Sequence, residues 1–120
     1  MYKRQDGTGA IGIVQSRTPT SLPYAFDMVE RHPLGSQAFV PLEPTTFVVV
    51  VAPPSASVDA ADLVAFITNG RQGINYHRGA WHMPLIAFEP GQRFLVIDRA
   101  GDAPNCDEHT LDEPVLLLEA

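Results

Sequence analysis

Phe47-Val48-Val49-Val50-Val51-Ala52 is the stretch that decides the fold. Its four consecutive valines are stiff at χ1 and pack well on a pleated sheet, which disfavours a helix. A strand with one wet face would alternate apolar and polar residues, and this stretch does not alternate. It reads instead as a strand buried on both sides. The apolar run ends at Pro53-Pro54, far short of the ~20 residues that a membrane-spanning helix needs.

Further strand-like runs lie on either side: Gly9 to Val14, Tyr24 to Arg31, Leu63 to Thr68, Trp81 to Phe88, Phe94 to Asp98 and Val115 to Leu118. Eleven prolines and nine glycines are spread between the runs, as frequent turns require. The prolines fall mostly at the edges of these runs, where no ladder N–H is lost. Asn69-Gly70 and Pro90-Gly91 are tight-turn signals. Only Asp59-Ala60-Ala61-Asp62-Leu63 reads as helical, with Asp59 as a cap and Asp62 near the positive end of the helix dipole. Many short strands with one short helical turn predict an all-β sandwich or barrel. The 120 residues, 45% of them apolar, suffice for one core and not for two, so residues 1–120 read as a single domain.

Eight basic and fourteen acidic side chains give a net charge of −6. Lys3 and the scattered arginines form no cluster that would follow a phosphate backbone, so nucleic acid is not an expected partner. A single arginine can still hold a small anion. Cys106 is the only cysteine, which excludes an intrachain disulfide and a Cys-rich zinc site. Met1-Tyr2-Lys3-Arg4-Gln5-Asp6 lacks the apolar stretch of a signal peptide. The expectation is a cytoplasmic protein with no membrane partner.

Two polar stretches hold the residues that can do chemistry. The first is Glu30-Arg31-His32-Pro33-Leu34-Gly35-Ser36-Gln37. Residues two apart on a strand face the same way, so Glu30 and His32 project together. A turn through Pro33-Leu34-Gly35 then brings back Gln37. The bland alternative is a solvated strand end with a structural histidine. The second stretch runs from Thr68 to Leu85 and contains Asn75-Tyr76-His77-Arg78-Gly79-Ala80-Trp81-His82. Gly73 and Gly79 permit tight turns, which would let His77 and His82 share one pocket despite their odd spacing. Neutral imidazoles suit general acid–base work, and Arg78 offers a planar fork for a carboxylate. The bland alternative here is a polar loop with Trp81 in the core.

Three further groups read as structural. Asp98-Arg99 looks like a surface ion pair, Cys106 lacks an activating neighbour beside Asp107 and Glu108, and His109 sits in an acidic segment. There is no phosphate-cradling loop, nucleotide fingerprint or HExxH motif.

Taken in order, several of these segments resemble the ureidoglycolate lyase family, also called ureidoglycolate hydrolase, of allantoin breakdown. The resemblance rests on Glu30-Arg31-His32-Pro33-Leu34-Gly35, Gln37-Ala38-Phe39, Phe47 to Ala52 and Phe66-Ile67-Thr68-Asn69-Gly70. It continues through Gln72-Gly73, Asn75-Tyr76-His77-Arg78, Trp81-His82, Phe94-Leu95, Ile97-Asp98-Arg99 and Asn105-Cys106-Asp107. The resemblance implies a cupin-like barrel (a double-stranded β-helix or jelly roll), a homodimer, and cleavage of (S)-ureidoglycolate to glyoxylate and urea. It implies His82 and His77 as acid and base in either order. Asn75, Tyr76 and Arg78 would hold the substrate, and Gln37 would line the pocket. Measured against metal-binding cupins, Glu30, His32, Gln37 and His82 stand where a divalent metal would be held.

Set against the family, residues 1–120 read as an N-terminally shortened cupin-like domain. Where the family carries a second imidazole after His82, this chain has Met83, a harmless exchange if that side chain faces the core. The alternative reading is a non-catalytic or altered-substrate barrel that binds a small 2-hydroxy or keto carboxylate.

Overall fold

The computed structural model describes residues 7–119, so the N-terminal hexapeptide read above lies outside the described residues. Among the described residues the chain is all-β. The first five strands are β1 (Thr8–Gln15), β2 (Tyr24–Arg31), β3 (Gln37–Pro41), β4 (Phe47–Ala52) and β5 (Val64–Ile67). The rest are β6 (Ile74–Tyr76), β7 (Trp81–His82), β8 (Ile86–Ala87), β9 (Arg93–Ala100) and β10 (Asp107–Leu117). One sheet has the order β1-β9-β3-β6, and the other the order β10-β2-β7-β4-β5 with β8 alongside β4. The two-sheet arrangement is that of a cupin-like β-barrel or sandwich. No helix among the described residues is long and apolar enough to cross a membrane.

β4 explains why the larger sheet has no wet face at its centre. Val48, Val50 and Ala52 pack with Phe26, Val29, Val58, Trp81, Met83, Ile86 and Leu111 on one side. Phe47 and Val49 pack with Tyr76 and Phe94 on the other, with Val51 against them. Five of the six β4 residues are buried and Val51 is half-buried. At roughly 1.5–3 kcal/mol for each fully buried aliphatic or aromatic side chain, this strand anchors both cores.

The helical expectation reduces to a single 3-10 turn at Ala60–Asp62. It is closed by the Asp62 carboxylate, which accepts the Asp59 backbone N–H at 2.9 Å. Trp81 to Phe88, expected as one strand, is split into β7 and β8. Pro84 lies between them and has no N–H to continue a ladder. Met83 N–H donates to the Val50 carbonyl at 3.2 Å just before the break.

Two short strands went unread in the sequence, and both position the site. β3 pairs with β6 through Gln37–Tyr76, Ala38–Asn75 and Phe39–Ile74. Gly73 permits this approach, since a Cβ there would meet the Phe39 carbonyl oxygen at 2.9 Å. The Asn69-Gly70 and Pro90-Gly91 turns both use positive φ at glycine, +91° and +80°.

Candidate active site

Glu30 stands at the end of β2 and His82 on β7, directly opposite each other in the antiparallel register. His32 follows Glu30 by two residues, and its side chain projects to the same place, as the strand period requires. The Glu30 Oε1 atom lies 3.7 Å from His82 Nε2 and 3.9 Å from His32 Nε2. The two imidazole centroids are 5.1 Å apart. Arg31 between them points away, donating to Asp107 at 3.0 Å and to the Ser55 carbonyl at 2.7 Å. Its guanidinium lies 4.6 Å over the Trp81 ring.

Backbone carbonyls set the tautomer of both histidines. His32 Nδ1 is 2.8 Å from the Asn105 carbonyl, and His82 Nδ1 is 3.1 Å from the Ala80 carbonyl. A carbonyl oxygen can only accept, so each Nδ1 carries the hydrogen and each neutral ring presents a bare Nε2. Asn105 also takes the Leu34 N–H on its side-chain oxygen at 2.7 Å, which fixes the turn after His32.

His82 is 2% exposed. Burial pushes its pKa below the ordinary histidine value; the Ala80 hydrogen bond opposes that shift, as does Glu30 more weakly. His82 is therefore a neutral acceptor at physiological pH.

Tyr76 completes the cluster from the opposite sheet. Its ring stacks on His82 with centroids 4.0 Å apart and planes 10° from parallel. Among the described residues the hydroxyl, which is buried, has no hydrogen-bond partner, and neither has the buried His32 Nε2. Burial first, and Glu30 second, hold the phenol pKa well above its ordinary value, so Tyr76 keeps its proton and can donate it in a hydrogen bond. Orphaned polar atoms in a buried cluster are the signature of a site made to receive something.

The other expected residues fall into separate places. Gln37, opposite Tyr76 in register, donates its amide to Asp98 Oδ2 at 3.4 Å. Asp98, Arg78 and the Leu34-Gly35 turn border an open cleft of about 1110 Å³ that none of the four clustered residues lines. A smaller cleft of about 440 Å³ is lined by Tyr76, Asn75, Gln72 and Thr68 together with apolar residues such as Phe66 and Val49. Of these two clefts, the smaller one reaches the cluster, through Tyr76. Asn75 and Arg78 thus open onto different clefts.

His77 is exposed in the turn after β6 and stands outside the cluster. Its backbone nevertheless serves the site. The His77 carbonyl accepts Ala80 N–H at 2.9 Å, and Ala80 in turn fixes His82. Gly79, at φ +80°, makes that turn and donates its N–H to the His32 carbonyl at 2.9 Å.

Asp98, read in the sequence as half of a surface ion pair, borders the larger cleft and accepts from Gln37. Its signal was the alternation Phe94, Val96, Asp98, in which the first two are buried. Met83 is buried in the outer core with Trp81, away from Tyr76, so its exchange does not touch the cluster.

Ligand atoms of Glu30, His32 and His82 all lie within 4.8 Å of one another, so these residues can hold a metal ion. Two bare imidazole nitrogens and one carboxylate oxygen form a donor set suited to a divalent transition metal. The amide nitrogen of Gln37, the fourth residue named for a metal, lies 3.4 Å from Asp98 Oδ2.

A family profile named ureidoglycolate lyase matches residues 1–118. A protein named ureidoglycolate lyase from Pseudomonas syringae pv. syringae is 52% identical over 97 residues, covering 81% of this chain and 57% of that protein. One of the same name from Azotobacter vinelandii is 53% identical over 97 residues, covering 81% of this chain and 58% of its own length. Another from Pseudomonas aeruginosa strain LESB58 is 52% identical over 116 residues, covering 94% of this chain and 68% of that protein. The chain thus spans less than two thirds of the first two relatives.

Proposed function

The chain belongs to the ureidoglycolate lyase family, and on that premise we propose that it acts as a carbon–nitrogen lyase, cleaving (S)-ureidoglycolate to glyoxylate and urea. The observation that carries the reading is the convergence of Glu30, His32 and His82 beneath Tyr76, with two buried polar atoms left unpartnered. The substrate is a carbinolamine-like acid. Its hydroxyl must lose a proton, its C–N bond must break, and the departing urea nitrogen must gain a proton.

His82 Nε2, neutral and bare, takes the hydroxyl proton, and Glu30 at 3.7 Å stabilises the imidazolium that results. The electron pair of the O–H bond becomes the second bond of the glyoxylate carbonyl as the C–N pair leaves with urea. Tyr76, which keeps its proton, donates a hydrogen bond toward the ureido group, and the proton held on His82 passes to the departing urea nitrogen, returning the imidazole to its neutral form. His77, the sequence's second candidate, would have to act from the exposed turn. Arg78 and Asn75 are available to the substrate carboxylate and ureido group from the two cleft rims. No covalent nucleophile is required. If a divalent cation is held, Glu30, His32 and His82 hold it, and it supplies Lewis-acid polarisation of the substrate's hydroxyl and carboxylate oxygens.

Equimolar glyoxylate and urea released from racemic ureidoglycolate would establish the lyase. Ammonia in place of urea, or no turnover from folded protein, would overturn it. Turnover that needs added divalent cation assigns His82 as a ligand, and turnover indifferent to it assigns His82 as the base. The same proposal includes a cytoplasmic setting and a homodimer. The outer face of β1, β9 and β3 exposes Ile11, Ile13, Ile97 and Val40, a surface that a second copy would cover. A monomer by analytical ultracentrifugation would remove that element.

A further inference from the structure

The carboxylate of Glu30 has two oxygens with different duties. Oε1 faces the bare Nε2 atoms of His32 and His82. Oε2 accepts the thiol hydrogen of Cys106 at 3.4 Å. Across the strand pair from Glu30 stands Glu108, in direct register on β10. Like charges placed directly opposite on adjacent strands repel, and that repulsion acts on the Glu30 carboxylate. Ligand atoms of Glu30, Cys106 and Glu108 all lie within 4.8 Å of one another. In this setting the S–H is the group that gives Glu30 Oε2 a hydrogen and holds the carboxylate plane against its neighbour.

We propose that Cys106 is a positioning residue, whose S–H, by donating to Glu30 Oε2, turns Oε1 toward His32 and His82. The inference deepens the lyase reading and rests on it for its kinetic consequence, though the contact itself stands on the geometry. The role is that of a donor and not of a nucleophile. A thiol with the ordinary pKa of about 8.5 keeps its hydrogen at physiological pH, so the sulfur is the donor in its contact with Glu30 Oε2. Asn105, which holds His32, precedes Cys106 in the chain, so one short segment orients two members of the cluster. Outer hydrogen bonds of this kind commonly govern activity by about ten- to a hundredfold.

The test compares Cys106→Ala, which removes the donor, with Cys106→Ser, which restores one. Three readouts separate positioning from packing: steady-state kinetics of glyoxylate release, the imidazole Cε1–H proton resonances of His32 and His82, and the melting temperature. The expected result for Cys106→Ala is a roughly tenfold lower kcat with KM within about twofold. Its two imidazole resonances shift and its melting temperature is unchanged, because Cys106 is exposed. Cys106→Ser returns both the rate and the resonances toward the wild type. Wild-type kinetics and unshifted resonances in Cys106→Ala would overturn the inference, as would a serine variant that behaves like the alanine one. A wild-type protein that releases no glyoxylate defeats the lyase reading alone, since the resonances of His32 and His82 still decide the role of Cys106.

Discussion

His77 and His82 lie five residues apart in one polar stretch, and nothing in their spacing ranks one above the other. The fold treats them as opposites. His82 is enclosed, stacked on Tyr76, locked by Ala80 and faced by Glu30. His77 is exposed, and its backbone carbonyl, not its ring, enters the chain of contacts that orders the site. What separates them is the turn at Gly79. It puts His77 on the rim and sends the chain back as β7 into the larger sheet. An imidazole acts on a substrate when its tautomer is fixed and water is kept away, and of this pair His82 meets both conditions.

The largest effect should come from removing that enclosed ring. His82→Asn keeps an N–H near the place from which Nδ1 reaches Ala80, so the fold is retained. Loss of a positioned base should lower kcat for glyoxylate release on the order of a thousandfold. Retention of more than a tenth of the wild-type rate would end the contrast. The pH profile sharpens it. Because burial lowers the His82 pKa, the acid limb of kcat/KM should fall below the ordinary histidine value of about 6.5. The unfolded chain binds a proton there at a pH where the folded chain does not. Stability contributed by neutral His82 is therefore complete above about pH 6.5 and declines as the pH drops toward the folded value. Acid unfolding of His82→Asn should lack that component.

Tyr76→Phe comes next. The hydroxyl is buried with no partner in the described structure, so its removal relieves an unsatisfied polar group, worth about 1–3 kcal/mol. The variant should melt higher and yet turn over on the order of a hundredfold slower, the usual consequence of deleting one aimed donor. A gain in stability with unchanged rate would assign Tyr76 to packing alone, and would leave His82 as the whole of the enclosed chemistry.

Much of this arrangement was legible before any coordinates, and its gaps have physical causes. The valines of β4 revealed a strand buried on both sides because no polar residue interrupts them. Glu30 and His32 were paired correctly because a strand's period of two is rigid. The glycines at 73 and 79 brought in His77 and His82 together, but five residues around a glycine match no single period, so spacing could not tell which of the two is enclosed. β3 and β6 escaped notice because strands of five and three residues flanked by polar turns hold too few alternations. Asp98 was passed over because Arg99 beside it offers an obvious partner in sequence, whereas the fold turns Asp98 to Gln37. The Pro84 break was visible in principle: a proline inside an apolar run cannot donate to the ladder on either side.

Gly79→Ala tests the turn that creates the contrast. An alanine at φ +80° costs about 1–2 kcal/mol, while its Cβ would rest against Pro54 at an ordinary 3.4 Å. The expected outcome is a lower melting temperature by that equivalent and a several-fold lower kcat, as Ala80 loosens its hold on His82. Destabilisation with undiminished activity would show that the Ala80 carbonyl is not what orients the ring.

The smallest expected effect belongs to His77→Asn, and it bears most directly on the comparison. The substitution alters only an exposed side chain, and the hydrogen bond from Ala80 N–H goes to the backbone carbonyl of residue 77, which the variant keeps. Surface changes of this kind usually stay within about 0.5 kcal/mol in stability. Turnover should fall by less than about twofold, below the span that a general acid commands. If kcat instead drops a hundredfold with the melting temperature unchanged, His77 donates the proton to the departing urea nitrogen. The exposed turn would then have to fold over the substrate during the reaction, and His82 would give up the return of the proton assigned to it. Because the exposed histidine costs less than about twofold under one scheme and about a hundredfold under the other, while the enclosed one costs on the order of a thousandfold in both, this pair of asparagine variants decides between them.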